Sequence, residues 1–393
     1  MNRVNVPQLR FPGFDGEWEL KKVGQLCDSI VPGRNKPTNF DGDIPWITTP
    51  DIEHNGIISY SKKGLNISRN EAKKVGSKIV PINSIIISCV GELGLSAIAG
   101  KEIIINQQLH AFIPKEKIEY RFLLYQLNLK KKYMDKVATK TAVPYMNKDN
   151  CNSIPIDFPA LPEQQKIASF LSAVDEKIQQ LSRKKELLSQ YKKGVMQQLF
   201  SGKLRFKDEN GKDYADWEEK SFGSVTKFIN GKAYKQTELL SEGKYRVLRV
   251  GNLFSNNEWY YSDLELEKDK YIEKGDLIYA WSASFGPRFW DEEKLIYHYH
   301  IWKVIPNHSV DKQFLFHTFM FDVEKLKTQS QGGTMFHITK GNIESRLFNF
   351  PCVEEQQKIA NFLSSIDTKI ESTSQQINQT QSFKKGLLQQ LFV

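Results

Sequence analysis

The sequence predicts an α+β fold: two tandem α/β lobes, residues 1–155 and 204–350, each followed by a long helical spacer, residues 156–203 and 351–393, with the spacers antiparallel as a coiled coil in a pseudo-twofold internal repeat. Three observations carry this expectation. The chain repeats itself at a constant offset of 192 residues. The repeated stretches hold an apolar heptad, and the segments between them alternate short β-rich runs with turns. At 393 residues the chain also exceeds one ordinary core, since a domain takes about 150 residues.

The first lobe opens with Leu9-Arg10-Phe11 and Trp18-Glu19, echoed by Leu204-Arg205-Phe206 and Trp217-Glu218 at the start of the second. Strand-like runs follow at Ile44–Ile47, Gly56–Tyr60, Ser84–Ser88 and Glu102–Ile105, then a helical stretch near Tyr120–Val137. The second lobe keeps that order: strands at Tyr245–Val250, Asp276–Trp281 and Tyr297–Val304, then a helix over Lys312–Gln329. Between their matching ends the lobes share little sequence beyond size and strand-like pattern.

The spacers repeat far more closely. Residues 163–200 and 355–392 are identical at 20 of 38 positions, where unrelated segments share roughly two or three. Pro162 and Glu163 suit the first turn of a helix, and no proline follows before Phe200. The seam Ile167, Leu171, Val174, Ile178, Leu181, Lys185, Leu188, Lys192, Val195 and Leu199 alternates steps of four and three. Its copy runs Ile359, Leu363, Ile366, Ile370, Thr373, Ile377, Thr380, Lys384, Leu387 and Leu391. Polar residues within such a seam set register and partner at a cost in stability. The other arrangement for these helices is packing on their own lobes as amphipathic core helices.

Composition narrows the function. Hydrophobic residues at 40% and charged residues at 26% build a core and exclude wholesale disorder. The net charge of +9 makes a polyanion a reasonable partner. That excess sits in the first half: residues 1–160 carry 22 basic against 16 acidic side chains, residues 204–351 carry 21 against 22. Cys27, Cys89, Cys151 and Cys352 form no CxxC pair, so neither a zinc cluster nor a disulfide framework is expected. The N-terminus has no apolar leader core and no 18-residue apolar run occurs, which predicts a soluble, cytoplasmic chain without membrane contact.

Catalytic signatures fail one by one. Gly94–Glu102 has one residue too many for a phosphate-binding loop and Glu where a magnesium-holding hydroxyl belongs. Asp263, Glu265 and Glu267 alternate beside Lys268 as a loose nuclease-like cluster, more in keeping with a solvated edge. His298 and His300 would share one face of a strand, without a third metal ligand nearby. No catalytic, cofactor or metal residue is therefore assigned.

With its duplicated Glu163-Gln164-Gln165-Lys166-Ile167 and Glu355-Gln356-Gln357-Lys358-Ile359, each after a lobe ending in Phe158-Pro159 or Phe350-Pro351, the whole chain resembles the specificity (S) subunits of type I restriction-modification systems, the HsdS family. Ile44-Pro45-Trp46-Ile47 and Ile105-Asn106-Gln107-Gln108-Leu109 add to the likeness, and the second lobe lacks both signatures. The resemblance implies a non-catalytic reader of double-stranded DNA whose two target-recognition domains each bind one half of a split, asymmetric site. It implies docking of two methyltransferase (M) subunits and two restriction (R) subunits, for adenine N6 methylation or cleavage. S-adenosylmethionine, ATP and magnesium would belong to those partners, with no cofactor on this chain. Docking and spacing would fall to Glu163, Gln164, Ile167, Leu171, Val174, Ile178 and Leu181, and to Glu355, Gln356, Ile359, Leu363, Ile366 and Ile370.

Base readout needs hydrogen-bonding side chains on loops that leave the scaffold undisturbed. The candidates in the first lobe are Arg34, Asn35 and Lys36, then Gly91, Glu92 and Gly94, and then Lys140, Thr141 and Tyr145. In the second lobe they are Lys232, Tyr234 and Lys235, Trp281, Ser282, Ser284 and Arg288, and Gly332, Thr334 and His337. Two other functions remain open on sequence: a structural coiled-coil adaptor that ignores DNA, and a DNA-modifying enzyme with undetected motifs.

Overall fold

A computed structural model of the chain describes residues 5–33, 35–254, 256–282, 285–329 and 338–393. Two compact units make it up, Met1–Ser182 with Gln375–Val393, and Arg183–Ser374. Each unit holds one lobe, the first half of the helix that follows that lobe, and the last part of the other helix.

In the first lobe a five-stranded sheet runs β2 (Cys27–Ile30), β9 (Leu109–Pro114), β6 (Ile85–Ser88), β7 (Ser96–Ala99) and β4 (Ile57–Ile58). A three-stranded sheet sets β3 (Ile44–Ile47) between β5 (Asn66–Ile67) and β8 (Ile104–Ile105), with β3 and β8 parallel. Strands β1 (Glu19–Lys22) and β10 (Pro155–Phe158) close the lobe as an antiparallel pair. The run Ile85-Ile86-Ile87 is buried on both faces, Ile86 in one core cluster and its two neighbours in another, which is why it reads as continuously apolar. The expected helix at Tyr120–Val137 is two helices, Tyr120–Leu129 and Lys131–Val137, broken at Lys130, whose ammonium turns inward to Asp157 at 2.8 Å.

The second lobe uses the same plan. Its sheets run β12 (Thr226–Asn230), β19 (Ile301–Pro306), β16 (Leu277–Ala280), β17 (Gly286–Phe289), and β14 (Tyr260–Ser262), β13 (Tyr245–Leu248), β18 (Leu295–Tyr297), β15 (Tyr271–Ile272). Strands β11 (Glu218–Ser221) and β20 (Leu347–Phe350) pair as β1 and β10 do. The 192-residue offset carries β6 onto β16, β9 onto β19, β10 onto β20, and helix Lys148–Asn152 onto Lys340–Glu344, with a slip to 190 between β7 and β17. The divergence expected between the repeated ends is thus one of side chains, with the backbone plan retained. The strand expected over Tyr297–Val304 is interrupted by a turn at His298–His300, so those two imidazoles do not share a strand face.

The long helices span Leu161–Phe200 and Val353–Leu391. In the first unit Ile167 and Leu171 share a core cluster with Leu387, Leu391 and Phe392, and Phe392 packs against Trp18 and Phe122 with ring centres 6.1 and 5.3 Å apart. In the second unit Val195 and Leu199 share one with Ile359, Leu363 and Ile366. Seam lysines lock these pairings: Lys384 reaches Asp175 at 2.5 Å in one unit and Lys192 reaches Asp367 at 2.5 Å in the other, the same contact displaced by the repeat offset. Lys185 instead lies exposed, outside the seam. Seam residues also pack on lobe residues, so the coiled-coil and core-helix arrangements coexist. No helix among the described residues is long and apolar enough to cross a membrane.

Candidate nucleic-acid interface

In the first lobe the predicted loops converge on a segment outside that prediction, the turn Asn106–Gln108 between β8 and β9. Four backbone bonds hold this turn and its surroundings: Asn106 N to Ile47 O at 2.9 Å, Leu109 N to Asn106 O at 3.1 Å, Cys89 N to Gln108 O at 2.8 Å, and Met146 N to Cys89 O at 2.9 Å. Asn106 Oδ1 accepts from Gln108 N at 3.1 Å, the local amide bond that stabilises a tight turn. Gln107 donates to Gly33 O at 3.4 Å, which joins the loop before Asn35 and Lys36 to the turn. Gly91 N donates to Pro144 O at 2.9 Å, bringing Gly91–Gly94 beside Lys140–Tyr145. Gly91 and Gly94 have φ of 75° and 80°, where a side chain is strained. Asn35, Lys36, Glu92, Lys140, Thr141 and Tyr145 are exposed on this edge; Arg34 lies outside the described residues.

The second lobe repeats the arrangement bond for bond around His298–His300. His298 N donates to Leu248 O at 2.9 Å, Ile301 N to His298 O at 3.0 Å, Trp281 N to His300 O at 3.2 Å and Ile338 N to Trp281 O at 3.2 Å. Lys232 joins through backbone bonds to Tyr297 and Tyr299 at 2.9 and 3.0 Å. The side chains differ completely. Trp281 lies 4.8 Å from His300 and 5.8 Å from Trp302 between ring centres, its indole N–H donating to Tyr299 O at 2.9 Å. Burial first, then His300 and Arg249, pushes the His298 imidazole down to about 4. Lys232 is spent on Glu238 at 3.0 Å, Ser282 is buried, and Arg288 sits on β17 donating to Leu253 O at 2.7 Å. Lys235 is exposed, while Ser284, Gly332, Thr334 and His337 lie outside the described residues.

Comparison with known proteins decides what these lobes belong to. The profile of the type I restriction modification DNA specificity domain matches residues 15–190 and again 214–381. The chain belongs to this family. The MjaVIII type I restriction enzyme specificity subunit of Methanocaldococcus jannaschii is 26% identical over 99% of this chain and 93% of its own. In fold, the chain is similar to the type I S subunit of M. genitalium, with a TM-score of 0.63, 17% identity and 99% of both chains covered. It is likewise similar to a chain from a structure of type I R-M complex assembly and conformational transition, with a TM-score of 0.58, 16% identity and coverage of 98% and 99%.

The lobes are therefore the target-recognition domains of a specificity-family chain, and the helix starts require a correction. Glu163, Gln164, Glu355 and Gln356 are buried and internally bonded, so they present no surface on which another subunit could dock. Arg10 forks onto Glu163 at 2.8 and 2.7 Å, and Arg205 onto Glu355 at 3.2 and 2.8 Å, with the Trp217 indole adding a third bond to Glu355 at 3.0 Å. Gln164 binds Glu119 N, Lys117 O and Pro159 O; Gln356 binds Asp311 N, Ser309 O and Pro351 O. These residues fasten each helix to its own lobe. Ile167, Leu171, Leu181, Ile359, Leu363 and Ile366 are likewise buried, with Val174, Ile178 and Ile370 half-buried.

The carboxylate cluster has a structural use as well: Asp263 accepts from Lys244 N at 2.7 Å, and Glu265 pairs with the Lys244 ammonium. Among the described residues no group of three His, Cys, Asp or Glu side chains is placed to hold a metal ion.

Proposed function

We propose that this chain selects DNA for a type I restriction-modification assembly by reading a bipartite, asymmetric site, one half with each lobe. The observation that carries this reading is the convergence of hydrogen-bonding loops on one edge of each lobe, around turns that share a backbone and differ in every side chain. A common scaffold with unlike reading residues suits two halves of different sequence. The chain itself performs no catalysis on this reading. Two M subunits methylate adenine N6 and two R subunits cleave, and S-adenosylmethionine, ATP and magnesium sit on those partners. The near-neutral second lobe holds DNA weakly by net charge, so clamping that half-site depends on the partner subunits.

Methylome sequencing of a host carrying this chain with its M partner tests the reading, and should yield one split motif. Exchanging residues 12–155 for another family member's first lobe should then alter one half of that motif and leave the other intact. Changes in both halves would defeat modular readout.

A further inference from the structure

The two recognition edges differ in one respect that loop chemistry alone does not require. In the first lobe a cavity of about 300 Å³ opens between Gly33, Asn35 and Lys36 on one side and the turn 106–108 on the other. Among the described residues its lining includes Trp46, Asn35, Lys36, Ser77, Gln107 and Gln108, and no carboxylate. Lys36 is exposed and makes no ion pair among the described residues. Gln108 has its amide oxygen taken by Thr49 and Asn106 at 3.0 and 3.3 Å, which leaves its NH₂ to donate outward.

Counting from the paired tryptophans Trp18 and Trp217, Asn35 corresponds to Tyr234, and by the 192 offset Asn106 corresponds to His298. In the second lobe that space is filled from within: Tyr234 stacks on His298 at 6.3 Å and 21°, with the Lys232 ammonium 5.5 Å from the tyrosine ring. A glycine in each loop, at positions one apart in that count, marks what the loop packs on. A Cβ on Gly33 would meet Val75 O at 2.6 Å and Ser77 Oγ at 2.8 Å, so at Gly33 this loop also packs on segment 75–77. A Cβ on Gly231 would meet Tyr297 O at 2.1 Å and His298 O at 2.6 Å, so that loop leans on the turn itself.

We propose that the first-lobe cavity binds one nucleobase, taken up where the second lobe places the ring of Tyr234. The occupant is planar because its counterpart is a stacked aromatic ring, and Trp46 offers an aromatic surface for it. It carries both donors and acceptors, because amides and a hydroxyl line the cavity. A base turned out of the duplex fits these terms with its own phosphate beside Lys36, and a free nucleotide shares the same chemistry. This inference rests on the DNA-reading function proposed above.

The test measures binding of the complex of full-length chain and M subunit to duplexes carrying its mapped motif, without S-adenosylmethionine. A mismatch is placed at each position of the first half-site in turn. Weakening the pair whose base is captured removes the unpairing cost, so at one position a mismatch should tighten binding about tenfold. Trp46→Ala and Asn35→Tyr, the second filling the cavity as Tyr234 does, should each abolish that tightening while leaving methylation specificity for the second half-site unchanged. Tightening that survives both substitutions, or none at any position, overturns the proposal. Equilibrium dialysis with AMP and dTMP tests the free-nucleotide source: binding without DNA that Asn35→Tyr removes would reassign the cavity to a soluble ligand. Absence of any specific methylation by the wild-type complex would instead defeat the DNA-reading function.

Discussion

The turns at 106–108 and 298–300 are held by the same four backbone bonds, yet one presents Asn-Gln-Gln around an open cavity and the other His-Tyr-His within an aromatic cluster. Backbone-to-backbone bonds place no demand on side-chain identity, so duplicated lobes kept the frame while the side chains on these turns diverged. Arg10–Glu163 and Arg205–Glu355 teach the complementary lesson, because there the side chains are the fastening and both copies retained them.

That contrast can be broken most sharply at the fastenings. Glu355→Ala and Glu163→Ala should each cost about 3 kcal/mol in urea denaturation, since each leaves a half-buried guanidinium without its partner. The loss should be larger for Glu355, which also holds the Trp217 indole; equal, small losses would make the forks ornamental. Next come the glycines. Gly231→Ala meets backbone oxygens at 2.1 and 2.6 Å and should cost about 3 kcal/mol and loosen second-half recognition. Gly33→Ala meets Val75 O at 2.6 Å, Gly76 C at 2.9 Å and a rotatable hydroxyl, and should cost about 2 kcal/mol.

A pH dependence specific to the second unit follows. His317 stands where the first unit has Tyr125: Tyr125 donates to Asp175 at 2.7 Å, whereas the His317 ring bonds Ser364 Oγ at 3.1 Å. Burial, then Lys192, pushes His317 down to about 3. The folded state keeps it neutral while the unfolded chain takes up a proton below about 6.5, so its contribution is present above that pH and lost as pH falls toward 3. Stability should drop by about 2 kcal/mol between pH 7 and 5 from this group, and His317→Tyr should flatten that slope, read by urea midpoints at both pH values. The smallest effect belongs to the seam. Lys192→Met and Lys384→Met should each change stability by about 1 kcal/mol, and a double-mutant cycle with Asp367 or Asp175 should find coupling only for the partner across the pair.

Much of the architecture was legible because it rests on local pattern. The heptad, the prolines bounding it and the 192-residue identity require only counting, and the apolar run at Ile85–Ile87 announces a buried strand. The reading edge was legible in part. Pro32-Gly33 and Gly91–Gly94 flag loops by composition, but Asn106–Gln108 sits between apolar Ile105 and Leu109 just past a strand-like run, and His298–His300 lies among aromatics and passes for strand. The signal that could have found them is the offset itself: Asn106 and His298 are 192 residues apart, inside segments that otherwise diverge.

By itself the sequence determined the duplication, the helices, the family and which loops carry hydrogen-bonding groups, because these depend on periodicity and residue type along the chain. Only the tertiary structure decided that Glu163 and Gln356 look inward and that Lys192 answers Asp367. It alone decided that the turn at 106–108 borders an open cavity and that the turn at 298–300 lies in an aromatic cluster. Those outcomes depend on which distant backbone a glycine or a charge meets, and no spacing along a single chain records that meeting.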